Sequence, residues 1–86
     1  MRFIVYCPVD FVCPFCEKSK AIIKEKGGVL EVRRSRLEHL KKKDRFYPQI
    51  FVCTQEYCGS DEKIGYTKIE GGSQGLINFY KERGIQ

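Results

Sequence analysis

Long apolar runs are missing from this sequence, which excludes a membrane-spanning helix because a span needs about 20 consecutive apolar residues. The apolar stretch in residues 1–10 is also too short for a secretory signal. There is no internal repeat and no low-complexity segment, and with 3 Pro and 8 Gly the composition is neither fibrous nor disordered. We therefore expect a globular, cytoplasmic protein that does not bind membranes.

The 86 residues are 42% hydrophobic and 31% charged, which is the size and composition of a single domain spanning residues 1–86. We expect it to be a monomer. Disulfide frameworks are rare in the cytoplasm, and the 5 cysteines are an odd number. Their number and setting favour reduced thiols used for chemistry or metal binding.

The net charge is +5, and much of it lies in the basic stretch 32–45. Acidic residues interrupt this stretch, and no aromatic residue is interleaved before Phe46, as a nucleic-acid surface would require. We interpret it as a solvated helix face and expect no nucleic-acid partner. His39 lies there without a spaced catalytic partner and is interpreted as a surface residue.

Hydrophobic periodicity in the first part of the chain predicts a strand, a helix and a second strand. Residues 2–7 are a β-branched and aromatic run, and residues 29–34 form another. Between them, residues 14–26 have apolar residues at helical spacing and end at Gly27, a residue suited to a helix C-terminus. A unit of this length predicts parallel strands joined by a right-handed crossover.

The second part predicts a short basic helix over 35–44, strands over 47–53 and 63–70, and a closing helix over 73–84. The element order is βαβαββα, which predicts an α/β domain with a four-stranded mixed sheet and about three helices. The predicted buried stripe of the closing helix consists of Leu76, Ile77, Phe79 and Tyr80.

Two cysteines separated by Pro14 and Phe15 stand where the first loop enters the first helix. Pro14 is suited to the first helical position, which places Cys13 at the helix N-terminus. The partial positive charge there favours the thiolate of Cys13, the stronger nucleophile. Cys16 lies one turn further along the same face, within reach of a mixed disulfide on Cys13. The pattern predicts a redox pair.

The stretches CPFC, YPQIFV and GGSQGL, in this order, resemble those of glutaredoxins, a family with the thioredoxin fold. The resemblance covers nearly the whole chain and implies a thiol–disulfide oxidoreductase using Cys13 and Cys16. It also implies a cis peptide bond before Pro48, and the alternative is that this proline simply begins a strand. Phe15 is expected to cover one side of the thiol pair.

Glutathione is the reductant that this resemblance implies. Its expected binding residues are Arg45, Tyr47, Gly72, Ser73 and Gln74. The helix N-terminal amides at Ser73 and Gln74 are suited to a carboxylate.

Two positions depart from the family pattern. Asp10 replaces a common lysine, and Gly75 replaces an aspartate that meets the γ-glutamyl amine. An aspartate at position 75 is therefore expected to improve the use of glutathione. The departures keep open an alternative, a redoxin that is reduced by a thioredoxin-reductase-type flavoenzyme.

The resemblance implies partners that carry disulfides or bound glutathione, with ribonucleotide reductase as one candidate. No metal is expected.

A second cysteine pair, Cys53 and Cys58, lies in a long connection between the last two strands. With Cys13 and Cys16 it could form a four-thiolate zinc site, which would make the chain a binding module instead of an enzyme. Cys53 could instead be a core thiol, and Cys58 an exposed thiol that is regulatory or joined to Cys53. Cys7 is interpreted as a core residue.

Overall fold

A computed structural model describes residues 1–36, 47–59 and 64–84 of the chain. The elements in these residues are the strands β1 (Arg2–Pro8), β2 (Val29–Ser35), β3 (Gln49–Cys53) and β4 (Tyr66–Ile69), and the helices α1 (Pro14–Glu25) and α2 (Gly72–Glu82). The strands form one mixed sheet in the order β2-β1-β3-β4. This part of the chain is thus a small α/β structure with two helices.

The β1–α1–β2 unit confirms the first part of the sequence prediction. β1 pairs in parallel with β2, with Val5 opposite Val32, and antiparallel with β3 on its other edge. Helix α1 ends at Glu25, one residue before the predicted end, and is followed by Gly27, whose φ of 76° is a backbone conformation that glycine adopts readily. Because it has a paired strand on each side, β1 is buried along most of its length.

Both helices contact each other and pack on the sheet face to which the alternate residues of β1 point. Phe3 lies at the centre of this core, with its ring centroid 6.2 Å from that of Phe79 and 5.9 Å from that of Tyr80. Of the predicted stripe on α2, Leu76 and Tyr80 are buried and Ile77 and Phe79 are half-buried.

Other boundaries differ from the prediction by a few residues. The strand expected over 47–53 begins at Gln49, and the strand expected over 63–70 is reduced to Tyr66–Ile69. The prediction of a helix over 35–44 is wrong at its first residue, because Ser35 ends β2 and pairs with Pro8. Residues 37–44 of that helix lie outside the described residues. Among the residues described, no helix has the length and apolar character needed to cross a membrane.

Tyr80 predicts a stability effect, because its buried hydroxyl has no hydrogen-bond partner among the described residues. Tyr80→Phe removes this unpaired group, so its free energy of unfolding at neutral pH should equal or exceed that of the wild type, by up to about 1–2 kcal/mol. Urea unfolding measures the difference. A loss of more than about 1 kcal/mol would show that the hydroxyl is paired.

Ionisation of Tyr80 should also make the stability of the fold depend on pH in the alkaline range. Burial raises the pKa of Tyr80 above its usual 10.0, so above that pH the unfolded chain loses a proton that the folded chain keeps. This contribution to stability is complete below pH 10.0 and is lost as the pH rises beyond it. Wild-type protein should therefore lose more stability than Tyr80→Phe in that range.

Candidate active site around Cys13 and Cys16

The first turn of α1 holds both cysteines of the predicted redox pair. Cys13 is the N-cap residue, its carbonyl accepts a 3.1 Å hydrogen bond from the amide of Glu17, and Pro14 begins the helix. Among the residues that the structure describes, no side chain caps this helix end. The position of Cys13 at this helix N-terminus confirms the sequence prediction, and stabilisation of an anion there by the first amides stays a prediction.

Cys16 is more deeply buried than Cys13, with 1% of its surface exposed against 8%. Burial raises the pKa of the Cys16 thiol well above its usual range, and hydrogen bonding to Cys13 and the proximity of Cys7 raise it further. The sulfur lies 4.0 Å from the carbonyl oxygen of Tyr6, a weak contact. Cys16 therefore remains a protonated thiol at neutral pH.

Cys7 is a third thiol of this cluster, and sequence reasoning gave it only a core role. It is 1% exposed and lies beside Cys16 at the end of β1. No short-range pattern links the two residues, since the contact depends on α1 folding back over β1. Cys7, Cys13 and Cys16 are all free thiols.

A shallow groove of about 260 Å³ borders the thiol pair through Phe15. Its remaining lining residues are Tyr47, Pro48, Gly71, Gly72, Ser73 and Gln74. The bond between Tyr47 and Pro48 is cis, as the resemblance implies, and Pro48 is fully buried. The structure thus brings together the expected binding residues that it describes, whereas Arg45 lies outside the described residues.

The walls of the groove are held by specific contacts. The hydroxyl of Tyr47 donates a 2.7 Å hydrogen bond to the carbonyl of Ser35, and its ring packs edge-on against Phe11. On the opposite wall, Gly71 and Gly72 have φ of 91° and 60°, and a Cβ on Gly72 would lie 3.6 Å from Cδ of Pro48. Both φ values lie in the left-handed region that glycine adopts readily, so this pair turns the chain into α2 beside Pro48.

Apolar side chains surround the entrance to the thiols, a feature that sequence reasoning missed except for Phe15. Val12 is 81% exposed and Phe15 is 59% exposed, and Val9 and Phe11 are about half exposed. The sequence does carry a signal for this feature, because apolar residues occur in the loop between β1 and α1, outside any predicted strand or helix. Exposed apolar residues beside a reactive group are typical of a surface that binds another protein.

Asp10 does not present a lone negative charge beside the thiols. Its carboxylate accepts hydrogen bonds of 3.1 and 3.3 Å from one guanidinium nitrogen of Arg36, the residue directly after β2. Both side chains are exposed, so the pair is weak, but it offsets the charge reversal expected from Asp10.

The space around Gly75 bears on the expectation that an aspartate there improves the use of glutathione. A Cβ at this position would lie 1.7 Å from the carbonyl oxygen of Glu70 and 2.8 Å from its carbonyl carbon. There is no space for a side chain between α2 and the turn that follows β4. An aspartate at position 75 therefore does not fit this backbone unless the chain shifts, which counts against the expected gain in glutathione use.

The four-thiolate alternative is also wrong for this geometry. Cys53 pairs with Arg2 at the start of β1, whereas Cys16 lies beside Cys7 near the other end of that strand. Along β1, Arg2 and Cys7 are about 17 Å apart at roughly 3.3 Å per residue. A disulfide joins Cys53 to Cys58, so neither sulfur is a free thiolate.

A scan against protein-family models and a search of curated proteins find no match to this chain. The interpretation of the site therefore depends on its residues and geometry.

The unequal environments of the two thiols predict the order of their alkylation. In fully reduced protein at about pH 6–7, iodoacetamide should label Cys13 first, because it lies nearer the surface at an uncapped helix N-terminus while Cys16 keeps its proton. Timed quenching followed by fragmentation mass spectrometry of the peptide that carries both residues measures the order. Faster labelling of Cys16, or an inert Cys13 beside a reactive Cys53 or Cys58, would contradict the assignment.

Proposed function

We propose that this protein is a dithiol oxidoreductase with a glutaredoxin-like thioredoxin fold, which reduces disulfides or glutathione mixed disulfides in the cytoplasm. The observation that carries the proposal is the asymmetric thiol pair, with Cys13 at an uncapped helix N-terminus and Cys16 buried and protonated behind it. The adjoining groove and cis-Pro48 add support.

The reaction transfers two electrons in two exchanges. The thiolate of Cys13 attacks one sulfur of the substrate disulfide, forms a mixed disulfide and releases the other sulfur as a thiolate. Cys16 then gives its proton to the departing thiolate and attacks Sγ of Cys13. The substrate leaves with both sulfurs reduced, and the protein retains a Cys13–Cys16 disulfide.

Two glutathione molecules can restore the dithiol. One thiolate attacks the Cys13–Cys16 disulfide and forms a glutathione adduct on Cys13, and the second releases oxidised glutathione. Within the groove, the uncapped amides at the start of α2 are suited to a glutathione carboxylate. Glutathione is therefore the reductant that we propose.

A thioredoxin-reductase-type flavoenzyme is the second candidate for the source of electrons. It is favoured by the absence of space at Gly75 for a partner of the γ-glutamyl amine. The exposed apolar rim of Val9, Phe11, Val12 and Phe15 is suited to a protein surface. It supports protein disulfides as substrates, and a cytoplasmic ribonucleotide reductase would be one partner of this kind.

A coupled assay tests both the activity and the reductant. The oxidised protein is incubated with NADPH and either glutathione plus glutathione reductase or thioredoxin reductase, with a protein disulfide as the substrate. We expect NADPH consumption that depends on this chain and is faster with glutathione. Turnover only with thioredoxin reductase would show that the electrons come from this flavoenzyme and not from glutathione. No turnover with either would refute the proposed function.

A further inference from the structure

The connection after β3 carries chemistry that the proposed function does not use. A disulfide joins Cys53, the last residue of β3, to Cys58, with a Cα–Cα distance of 6.3 Å. It closes a short loop of polar residues that are themselves exposed. The chain thus contains one oxidised cysteine pair and, at the candidate active site, one reduced pair.

The described residues on either side of this disulfide pack closely. The amide of Gly59 donates a 3.1 Å hydrogen bond to the carbonyl of Ile64, and a Cβ on Gly65 would lie 2.9 Å from the carbonyl oxygen of Tyr57 and 3.6 Å from Sγ of Cys53. Gly65 has a φ of 82° and directly precedes β4. The disulfide therefore lies against the backbone that leads into β4.

The two sulfurs differ in their access to solvent. Cys53 is 2% exposed, whereas Cys58 is half-buried, and both line an open cavity of about 300 Å³ whose walls also carry Arg2 and Glu56. An incoming thiolate can reach the more exposed Cys58 through this cavity. Sγ of Cys53 is the leaving atom in such an attack.

We propose that Cys53 and Cys58 form a second redox site, a disulfide that fastens the β3–β4 connection and is opened by a small dithiol that attacks Cys58. The first thiolate forms a mixed disulfide with Cys58 and releases Cys53, which takes up a proton. The second thiol of the reductant then displaces Cys58, so that the reductant becomes a disulfide and the chain gains two thiols.

The Cys13–Cys16 pair of the same chain is not this reductant. The two sites lie at opposite ends of β1, about 17 Å apart at roughly 3.3 Å per residue. The Cys53–Cys58 disulfide is consequently reduced by small dithiols in solution or by a dithiol on another protein molecule. Its oxidation state can therefore differ from that of Cys13 and Cys16.

Differential alkylation of the wild-type chain tests the proposal. Trypsin separates the two sites, because Cys7, Cys13 and Cys16 lie in residues 3–18 and the second pair lies in residues 46–63. In protein isolated without reductant, the peptide 46–63 should carry no label. After dithiothreitol treatment of the folded protein, it should be labelled on both cysteines. Labelling before reduction, or resistance of the folded protein to reduction, would refute the proposal.

Thermal unfolding measures the fastening role. Reduction should lower the melting temperature by roughly 5–10 °C, because opening the disulfide releases a constraint on the unfolded chain. A Cys53→Ala, Cys58→Ser double variant is the matched control and reports any effect of reducing Cys13 and Cys16. Its melting temperature should fall much less on reduction. Equal falls in the two proteins would show that the second disulfide does not fasten the fold.

The direction of attack has its own test, in single variants treated with oxidised glutathione. Cys53→Ala leaves the more exposed thiol, Cys58, which should become glutathionylated. Cys58→Ser leaves the buried Cys53, which should resist. The peptide 46–63 again reports the modification by mass. Preferential modification of Cys53 would overturn the proposed entry through Cys58.

Discussion

Replacing Cys13 with serine should reduce every thiol–disulfide activity of this protein to the uncatalysed level. A serine hydroxyl is not ionised at neutral pH and forms no mixed disulfide, so the first exchange cannot begin. The loss should appear with protein disulfides and with glutathione mixed disulfides alike. Near-UV and far-UV circular dichroism should remain those of the wild type, because serine fits the space of the thiol.

Cys16→Ser should separate deglutathionylation from the reduction of protein disulfides. Without the resolving thiol, Cys13 can still accept glutathione from a mixed disulfide and pass it to a second glutathione molecule, whereas a protein disulfide stays trapped on Cys13. We therefore expect deglutathionylation to persist while the reduction of protein disulfides fails. Mass spectrometry should detect the trapped mixed disulfide.

The control for these variants is the Cys53→Ala, Cys58→Ser double variant, which removes two cysteines at the far end of β1 and should retain both activities at 25 °C. Residual activity in Cys13→Ser would refute the role of this residue as the nucleophile. Loss of both activities in folded Cys16→Ser would favour the redoxin that is reduced by a flavoenzyme, because such a protein needs both thiols to accept electrons.

Gly75→Asp should destabilise the protein, although the family resemblance suggests an improvement in glutathione use. The new Cβ would overlap the carbonyl of Glu70, so α2 or the preceding turn must shift. Overpacking of this kind costs about 1–3 kcal/mol, and because the Cβ alone causes it, Gly75→Ala should lose a similar amount. The same shift should displace the groove wall at Gly72 and Ser73.

Urea unfolding of both Gly75 variants measures this effect, with Gln74→Ala as the matched control. Gln74 is exposed on the same turn, and its side-chain amide donates to the exposed Asn78, so its replacement should change the free energy of unfolding by less than about 0.5 kcal/mol. A stable Gly75→Asp variant with a lower KM for glutathione would show that the turn after β4 can rearrange. It would also restore the expectation taken from the family.

The amino-acid sequence was sufficient for the features that depend on neighbours within a turn or a strand. The apolar run of β1, the proline at the start of α1 and the glycine after its end predict β1, α1 and their boundaries closely. These local signals also place Cys13 at a helix N-terminus and Cys16 one turn inside. The helix geometry by itself brings these two thiols together, so the candidate redox pair follows from the sequence.

Only the tertiary structure decided which residues distant in sequence surround that pair. The proximity of Cys7 to Cys16 and the pairing of Arg36 with Asp10 arise because α1 and β2 both return to the end of β1. The exclusion of a side chain at Gly75 likewise depends on how closely α2 approaches the turn after β4.

The separation of the second cysteine pair from the first has the same origin, since it follows from the antiparallel register of β3 on β1. Spacing along the chain left Cys53 and Cys58 open to zinc binding, core packing or a local bond. These alternatives depend on which groups share the space around a sulfur atom. Chain packing determines those neighbours, whereas hydrophobic periodicity reports only which face of an element is buried.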